Sequence, residues 1–137
     1  MSKKNKHNKH VGSTIERSDD RINQTGEVFT PMSLVYQMID EIPEETMRNP
    51  ESTFLDNSFG SGNFLYGLLD RLTNKWGHDK QHVLDHMLYG VELMEDNHRE
   101  TCERLGVPVD HPHFVCANAL TYTYDFGEPT GLEAFFE

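Results

Sequence analysis

The densest chemistry in this 137-residue chain is the run Phe54-Leu55-Asp56-Asn57-Ser58-Phe59-Gly60-Ser61-Gly62-Asn63-Phe64-Leu65. A short extended run delivers a carboxylate, a turn with two glycines follows, and an amphipathic helix begins. Parallel sheets use that order to bring backbone close to a ligand, because glycine allows backbone shapes and approaches that a Cβ blocks. The spacing falls short of the full G-x-G-x-x-G signature, and a GxG by itself also fits a tight turn with no ligand. A second carboxylate stands at the end of Tyr89-Gly90-Val91-Glu92. An acid there can accept hydrogen bonds from both hydroxyls of a ribose, against the alternative of a solvated strand end. The interval from Gly62 to Glu92 exceeds the roughly 20 residues usual for that role, and an extra amphipathic piece at 79–86 accounts for the excess.

Other constellations carry less. His78, His82 and His86 recur at every fourth position, which lines them on one helical face if the helix begins early enough, either as transition-metal ligands or as a wet surface. Asp85 is adjacent in sequence but off that face. His111 and His113 flank Pro112, and no Ser/His/Asp set has the spacing logic of a nucleophilic triad. The acids at 40, 41, 44 and 45 read as a solvated face and loop.

The elements that must hold these residues follow from periodicity. Leu34, Val35, Met38, Ile39 and Ile42 recur at helical spacing after Thr30-Pro31, with Thr30 placed as the cap and Pro31 in the first turn. Pro43 and Pro50 bracket a connector, and residues 53–56 read as the first strand. A helix then presents Phe64, Leu65, Leu68, Leu69 and Leu72. An amphipathic piece at 79–86 leads into a second strand at 88–92. A helix at 95–105 is stopped by Gly106 and Pro108, and residues 114–117 form a third strand. Tyr122, Tyr124 and Phe126 follow as further pairing or as a packed loop. Strand, turn, helix, strand, helix, strand is half of a doubly wound α/β sheet. With its next neighbour missing, the first strand becomes an open edge, which invites pairing with another chain.

Composition bounds the function. The length suits one domain with a core, at 25–137, preceded by a polar tail at 1–24. Lys3, Lys4, Lys6 and Lys9 give the tail its positive start, leaving 8 basic against 23 acidic residues, a net charge of −15, over residues 11–137. Such a surface repels phosphate backbones, so DNA binds only where a partner supplies a basic groove. The tail itself reads either as a nucleic-acid contact or as a solubilising leader. Two cysteines without CxxC spacing imply a reducing, cytoplasmic setting and small core residues. No apolar run has the length of a membrane span or a secretory signal.

Taken in order, TGEVFTP, LDNSFGSGNFL, YGVEL and VCANALTYTYDFGE resemble the amino-terminal motifs of S-adenosylmethionine-dependent adenine-N6 DNA methyltransferases of the restriction-modification type. The resemblance runs from about residue 25 to 128 and implies an incomplete Rossmann-like methyltransferase sheet of about three parallel strands with flanking helices. By that resemblance Thr25, Gly26, Phe29, Thr30 and Pro31 lie over the methionine end of S-adenosylmethionine. Asp56, Gly60, Ser61, Gly62 and Phe64 lie beside its amino-acid portion, Glu92 takes the ribose, and Asn118 with Ala119 and Leu120 meets the adenine ring.

Three departures qualify the resemblance. Asn57 and Phe59 stand where the family loop commonly has proline and a cysteine or tyrosine. Asn118 replaces a usual carboxylate and can accept through its side-chain carbonyl and donate through its amide, without the charge. The family's Asn/Asp-Pro-Pro-aromatic tetrapeptide, which polarises the target amino group and stacks on an extruded base, occurs nowhere in the sequence. Tyr122, Tyr124, Phe135 and Phe136 offer stacking surfaces without its prolines or polar acceptor. The expectation is a cofactor-binding front part that ends before the catalytic segment and needs a protein partner for methyl transfer. The partner completes or covers the sheet edge and brings the DNA; a second copy of the chain is another occupant of that edge. The competing expectation is a catalytically inactive, methyltransferase-like interaction protein.

Overall fold

The computed structural model describes residues 30–128. Thr25, Gly26 and Phe29 lie outside the described residues, as do the tail at 1–24 and Phe135 and Phe136. Three strands, β1 (Phe54–Asp56), β2 (Leu88–Glu92) and β3 (Phe114–Cys116), pair in parallel in the order β1-β2-β3. The register sets Leu55 beside Tyr89 and Val91 beside Val115. Ahead of the sheet come α1 (Met32–Ile39) and α2 (Glu44–Arg48). Helix α3 (Asn63–Asp70) continues through Arg71–Lys75 with π-type bonding, in which the Trp76 amide reaches the Arg71 carbonyl. Helix α4 (Lys80–His82, extended by Val83–Met87) completes the crossover to β2, and α5 (Glu95–Leu105) links β2 to β3. The result is an α/β arrangement with β1 at one edge of the described sheet.

Local chemistry explains these boundaries. Asp79 caps α4 by accepting the His82 amide at 3.1 Å. Helix α5 opens with Glu95 and Asp96, whose charge suits the positive end of a helix. It closes at Gly106, whose φ of 78° lets the Gly106 and Val107 amides turn back onto the Cys102 carbonyl. In β2, Leu88 and Val91 are fully buried, as expected for a strand covered on both faces. The core joins Leu65, Leu68 and Leu72 of α3 to Val35 and Ile39 of α1, Met87 of α4 and Phe114 of β3. Helices α1 and α3 approach closely at Gly67, where a Cβ would lie 2.8 Å from Ile39 and 2.9 Å from Val35.

Polar contacts lock α1 onto α3. The Tyr36 hydroxyl donates to Asp70 at 2.6 Å, and Arg71 makes two contacts to Asp40 at 3.1 and 3.3 Å while its guanidinium lies 4.2 Å over the Tyr36 ring. Burial, reinforced by the Asp70 carboxylate, pushes the Tyr36 phenol well above its ordinary value, and the Tyr36 hydroxyl holds Asp70 below the usual carboxylate range. Tyr36→Phe is expected to lower unfolding free energy by about 1–2 kcal/mol, since it removes one charge-assisted hydrogen bond. Urea denaturation at neutral pH checks this as a fall in midpoint with unchanged slope.

Several expectations are corrected. Pro31, not Thr30, is the capping residue of α1, and no side chain caps that helix; the Pro31 carbonyl takes the Leu34 and Val35 amides. Leu34 and Met38 are 43 % and 48 % exposed, because the α3 surface accepts only the narrow stripe Met32, Val35, Ile39 and the other two positions rotate away from it. The Pro43–Pro50 connector contains α2, whose Glu44–Arg48 pair at 2.7 Å and buried Met47 stabilise a turn too short to show a period. β1 and β3 are each one residue shorter than expected. Cys102 is buried in the core and its thiol is pushed up to about 11 by burial; Cys116 is exposed. The histidine stripe forms only in part: the His82 and His86 rings lie 5.1 Å apart, while His78 precedes α4. His78 Nε2 bonds the Met47 carbonyl at 2.7 Å and His82 Nε2 the Pro50 carbonyl at 2.8 Å. Among the described residues no three His, Cys, Asp or Glu side chains gather as a metal site, and no helix is long and apolar enough to cross a membrane.

Candidate functional site

Parallel strands place all their carboxyl ends on one side, and there the loop between β1 and α3 is fixed by contacts from three directions. Asp56 ends β1 and accepts the Ser58 amide at 3.1 Å, starting the turn. The Phe59 amide reaches the Val91 carbonyl at 3.3 Å, and the Phe59 ring drops into the core over Gly90. A Cβ on Gly90 would stand 2.5 Å from that ring. The bulky residue in the loop is therefore accommodated by a missing side chain on β2.

Gly60 and Gly62 both have positive φ, 58° and 91°. Gly62 ends the turn at the amino end of α3, with Thr101 filling the space where its Cβ would be. The Gly60 amide donates to Glu92 Oε1 at 2.8 Å, and the Gly60 carbonyl accepts from Thr101 Oγ1 at 3.0 Å. Arg104 Nη1 donates to the Ser61 carbonyl at 2.7 Å and to Asn63 Oδ1 at 2.8 Å. Burial lowers the proton affinity of the Arg104 guanidinium, which lies 4.9 Å over the Tyr66 ring. The Ser61 side chain is buried, and among the described residues its hydroxyl finds no hydrogen-bond partner.

Glu92 is the centre of this arrangement. It is 6 % exposed, and beyond the Gly60 amide it accepts the Met94 amide at 3.0 Å and Asn97 Nδ2 at 3.1 Å, both on Oε2. A carboxylate offers about four lone-pair positions, so three are filled by the chain's own donors and one is left. The neighbouring Asp56 carboxyl is raised, by burial first and then by the charge of Glu92, against the lowering effect of the Ser58 amide. Two strand-end acids thus share a poorly solvated corner.

The outlying candidates attach to this corner unequally. Thr30 is tied in, since Asn63 Nδ2 donates to the Thr30 carbonyl at 2.7 Å. Pro31 is exposed and Phe64 half-buried against the core. The Ala117 amide continues the pairing past β3 by donating to the Glu92 carbonyl at 3.0 Å, which sets exposed Asn118 just beyond the end of β2. The Asn118 side-chain oxygen accepts the Leu120 amide at 2.9 Å, so it shapes its own turn.

Four residues that shape the loop were not among the expected ones: Asn63, Asn97, Thr101 and Arg104. The last three recur at helical spacing on the inward side of α5, where a packing helix ordinarily shows apolar residues. That polar stripe was the available signal. Among the described residues the corner offers a hydroxyl without a partner, a remaining lone pair on Glu92 and a desolvated carboxylate, which suits a cationic ligand bearing hydroxyl groups. No family model matches the sequence, and no curated protein is significantly similar to it.

Proposed function

We propose that the chain is the S-adenosylmethionine-binding part of a DNA adenine-N6 methyltransferase with a Rossmann-like sheet, whose target-base machinery comes from a segment or polypeptide other than these 137 residues. The observation that carries the reading is the tethering of three separated stretches to one corner. The glycine loop is bonded to Glu92, and Thr30 is bonded to Asn63 of that loop's helix. Asn118 follows the Ala117–Glu92 contact.

In this reading, Glu92 uses its remaining lone pair for a ribose hydroxyl, and the Ser61 hydroxyl and Asp56 carboxylate face the amino-acid portion, where an ammonium relieves the desolvated acid. Arg104 and Thr101 hold the loop in the bound shape beforehand, so little ordering is left to binding. When bound, S-adenosylmethionine supplies an electrophilic methyl group on a sulfonium. The chain orients that end through Thr30 and the preceding residues. The Asn/Asp-Pro-Pro-aromatic tetrapeptide is absent from the sequence, so the chain alone is expected to give no methyl transfer.

Calorimetry with S-adenosylmethionine tests the reading. Saturable one-to-one binding is expected, at least tenfold weaker in Glu92→Gln with the fold confirmed by circular dichroism. A folded protein that gives no binding heat would defeat it. The acidic body and the 54 % exposure of Leu55 on the edge strand would then favour a non-catalytic interaction protein.

A further inference from the structure

The segment after β3 does not simply leave the sheet. Residues 118–128 knit themselves together and return to the amino-terminal side of β2 and β3. The Tyr122 hydroxyl accepts the Phe126 amide at 2.9 Å and donates to Asp125 at 3.3 Å, Thr123 donates to Asp125 at 2.8 Å, and the Tyr124 hydroxyl donates to the Ala119 carbonyl at 2.8 Å. The knot docks through one ring and one glycine. Phe126 stands edge-on to Tyr89 at 5.1 Å, and Gly127 lies so close to Pro112 that a Cβ would be 2.9 Å away. Tyr124 and Phe126 have φ of 60° and 45°. Bulky residues rarely adopt such backbone, and it persists where surrounding contacts hold it.

The strap docks on Tyr89 and Pro112, and Phe126 thereby meets the first of two neighbouring histidines. His113 stacks on Tyr89 at 4.0 Å and meets the Phe126 ring at 6.5 Å. His113 Nδ1 donates to the Leu88 carbonyl at 3.0 Å. His111 packs edge-on to it at 5.2 Å, accepts the His113 amide on Nδ1 at 3.1 Å, and donates from Nε2 to Asp85 at 2.8 Å. We propose that residues 118–128 are a proton-released strap, docked while His113 is neutral and let go when acidification charges its ring. The inference is independent of the cofactor reading.

The groups that bear on His113 come from every side. Burial, His111 and His86 oppose its protonation; the Leu88 carbonyl and the Asp85 carboxylate favour it, and burial is the largest effect, so the docked ring titrates below its ordinary value. A base depressed in the docked state favours docking above about pH 6.5 and loses that advantage as the pH falls through it. Asp85 and Asp125 are both held below the usual carboxylate range, so they stay ionised across this window and do not confuse it. Release also lets Tyr124 and Phe126 leave their strained backbone. Asn118 is the root of the strap, so acid would loosen the β3 side of the candidate site.

Hydrogen exchange by NMR on the whole chain tests this. Protection of the Phe126 amide, corrected for intrinsic exchange, is expected to fall up to about tenfold between pH 7.5 and 5.5, the limit set by an ordinary imidazole value near 6.5. His113→Phe, which keeps a stacking ring, is expected to abolish that change. Unchanged wild-type protection, or the same fall in His113→Phe, would overturn the proposal. The His113 ring signal gives a check that needs no variant: titration at or above 6.5 in the wild-type protein would also overturn it.

Discussion

Glu92→Ala is expected to lower unfolding free energy by about 3–4 kcal/mol, more than any substitution limited to binding a ligand should. The carboxylate accepts from the Gly60 amide, the Met94 amide and Asn97 Nδ2 inside a nearly closed corner. Removing it takes a shared acceptor from three donors and opens a void, and each lost buried hydrogen bond costs about 1–3 kcal/mol, with partial relief from water entering the space. Denaturant unfolding of the variant against wild type measures the loss; a change under about 1 kcal/mol would mean that the loop holds its shape without Glu92. Glu92→Gln keeps the side-chain volume and part of the accepting capacity, so its cost should be about half as large. That difference is why the amide, not the truncation, is the informative variant in a cofactor titration.

Gly62→Ala should rank next, at about 2–3 kcal/mol of lost stability together with loss of cofactor binding in a protein that still folds. Two independent penalties meet at one atom. A φ of 91° is a conformation that L side chains rarely adopt, and the new Cβ would stand 2.7 Å from both Cγ2 and Oγ1 of Thr101. Thr101 cannot turn aside freely, because its hydroxyl holds the Gly60 carbonyl. The double variant Gly62→Ala/Thr101→Ser removes the contact with Cγ2 and leaves the contact with Oγ1 together with the backbone strain. Thermal unfolding should recover only part of the loss. Full recovery would show that crowding alone makes glycine necessary there.

The parts of this structure that can be read from sequence are those where local chemistry and packing agree. Leu88–Glu92 and Glu95–Leu105 are observed at the expected positions, the helix ending at its Gly106 stop. The glycine turn is legible for the same reason, since glycine is the residue that most readily takes the positive φ of Gly60 and Gly62. Contacts across long separations are not legible in that way. That Glu92 spends most of its capacity on its own chain depends on Gly60, 32 residues earlier, and the orientation of Arg104 depends on Ser61 and Asn63. The outward rotation of Leu34 and Met38 was hidden because periodicity shows how many positions are apolar and not how many a neighbouring helix can cover. Cys116 misled in a similar way: its residue type favours burial, while its place at the last position of β3 leaves it exposed.

The parallel register has a consequence for how the chain reaches this state. β1 is three residues long and has its one described pairing with β2, whose first partner residue, Leu88, follows Phe54 by 34 positions. Closing a span of that length carries an entropic cost before any ladder bond repays it, whereas α3, α4 and α5 can form from neighbouring residues. The central and third strands can therefore assemble around α5 first, and β1, with the glycine turn behind it, joins late. The corner built around Glu92 is thus expected to be completed late in folding and to open early.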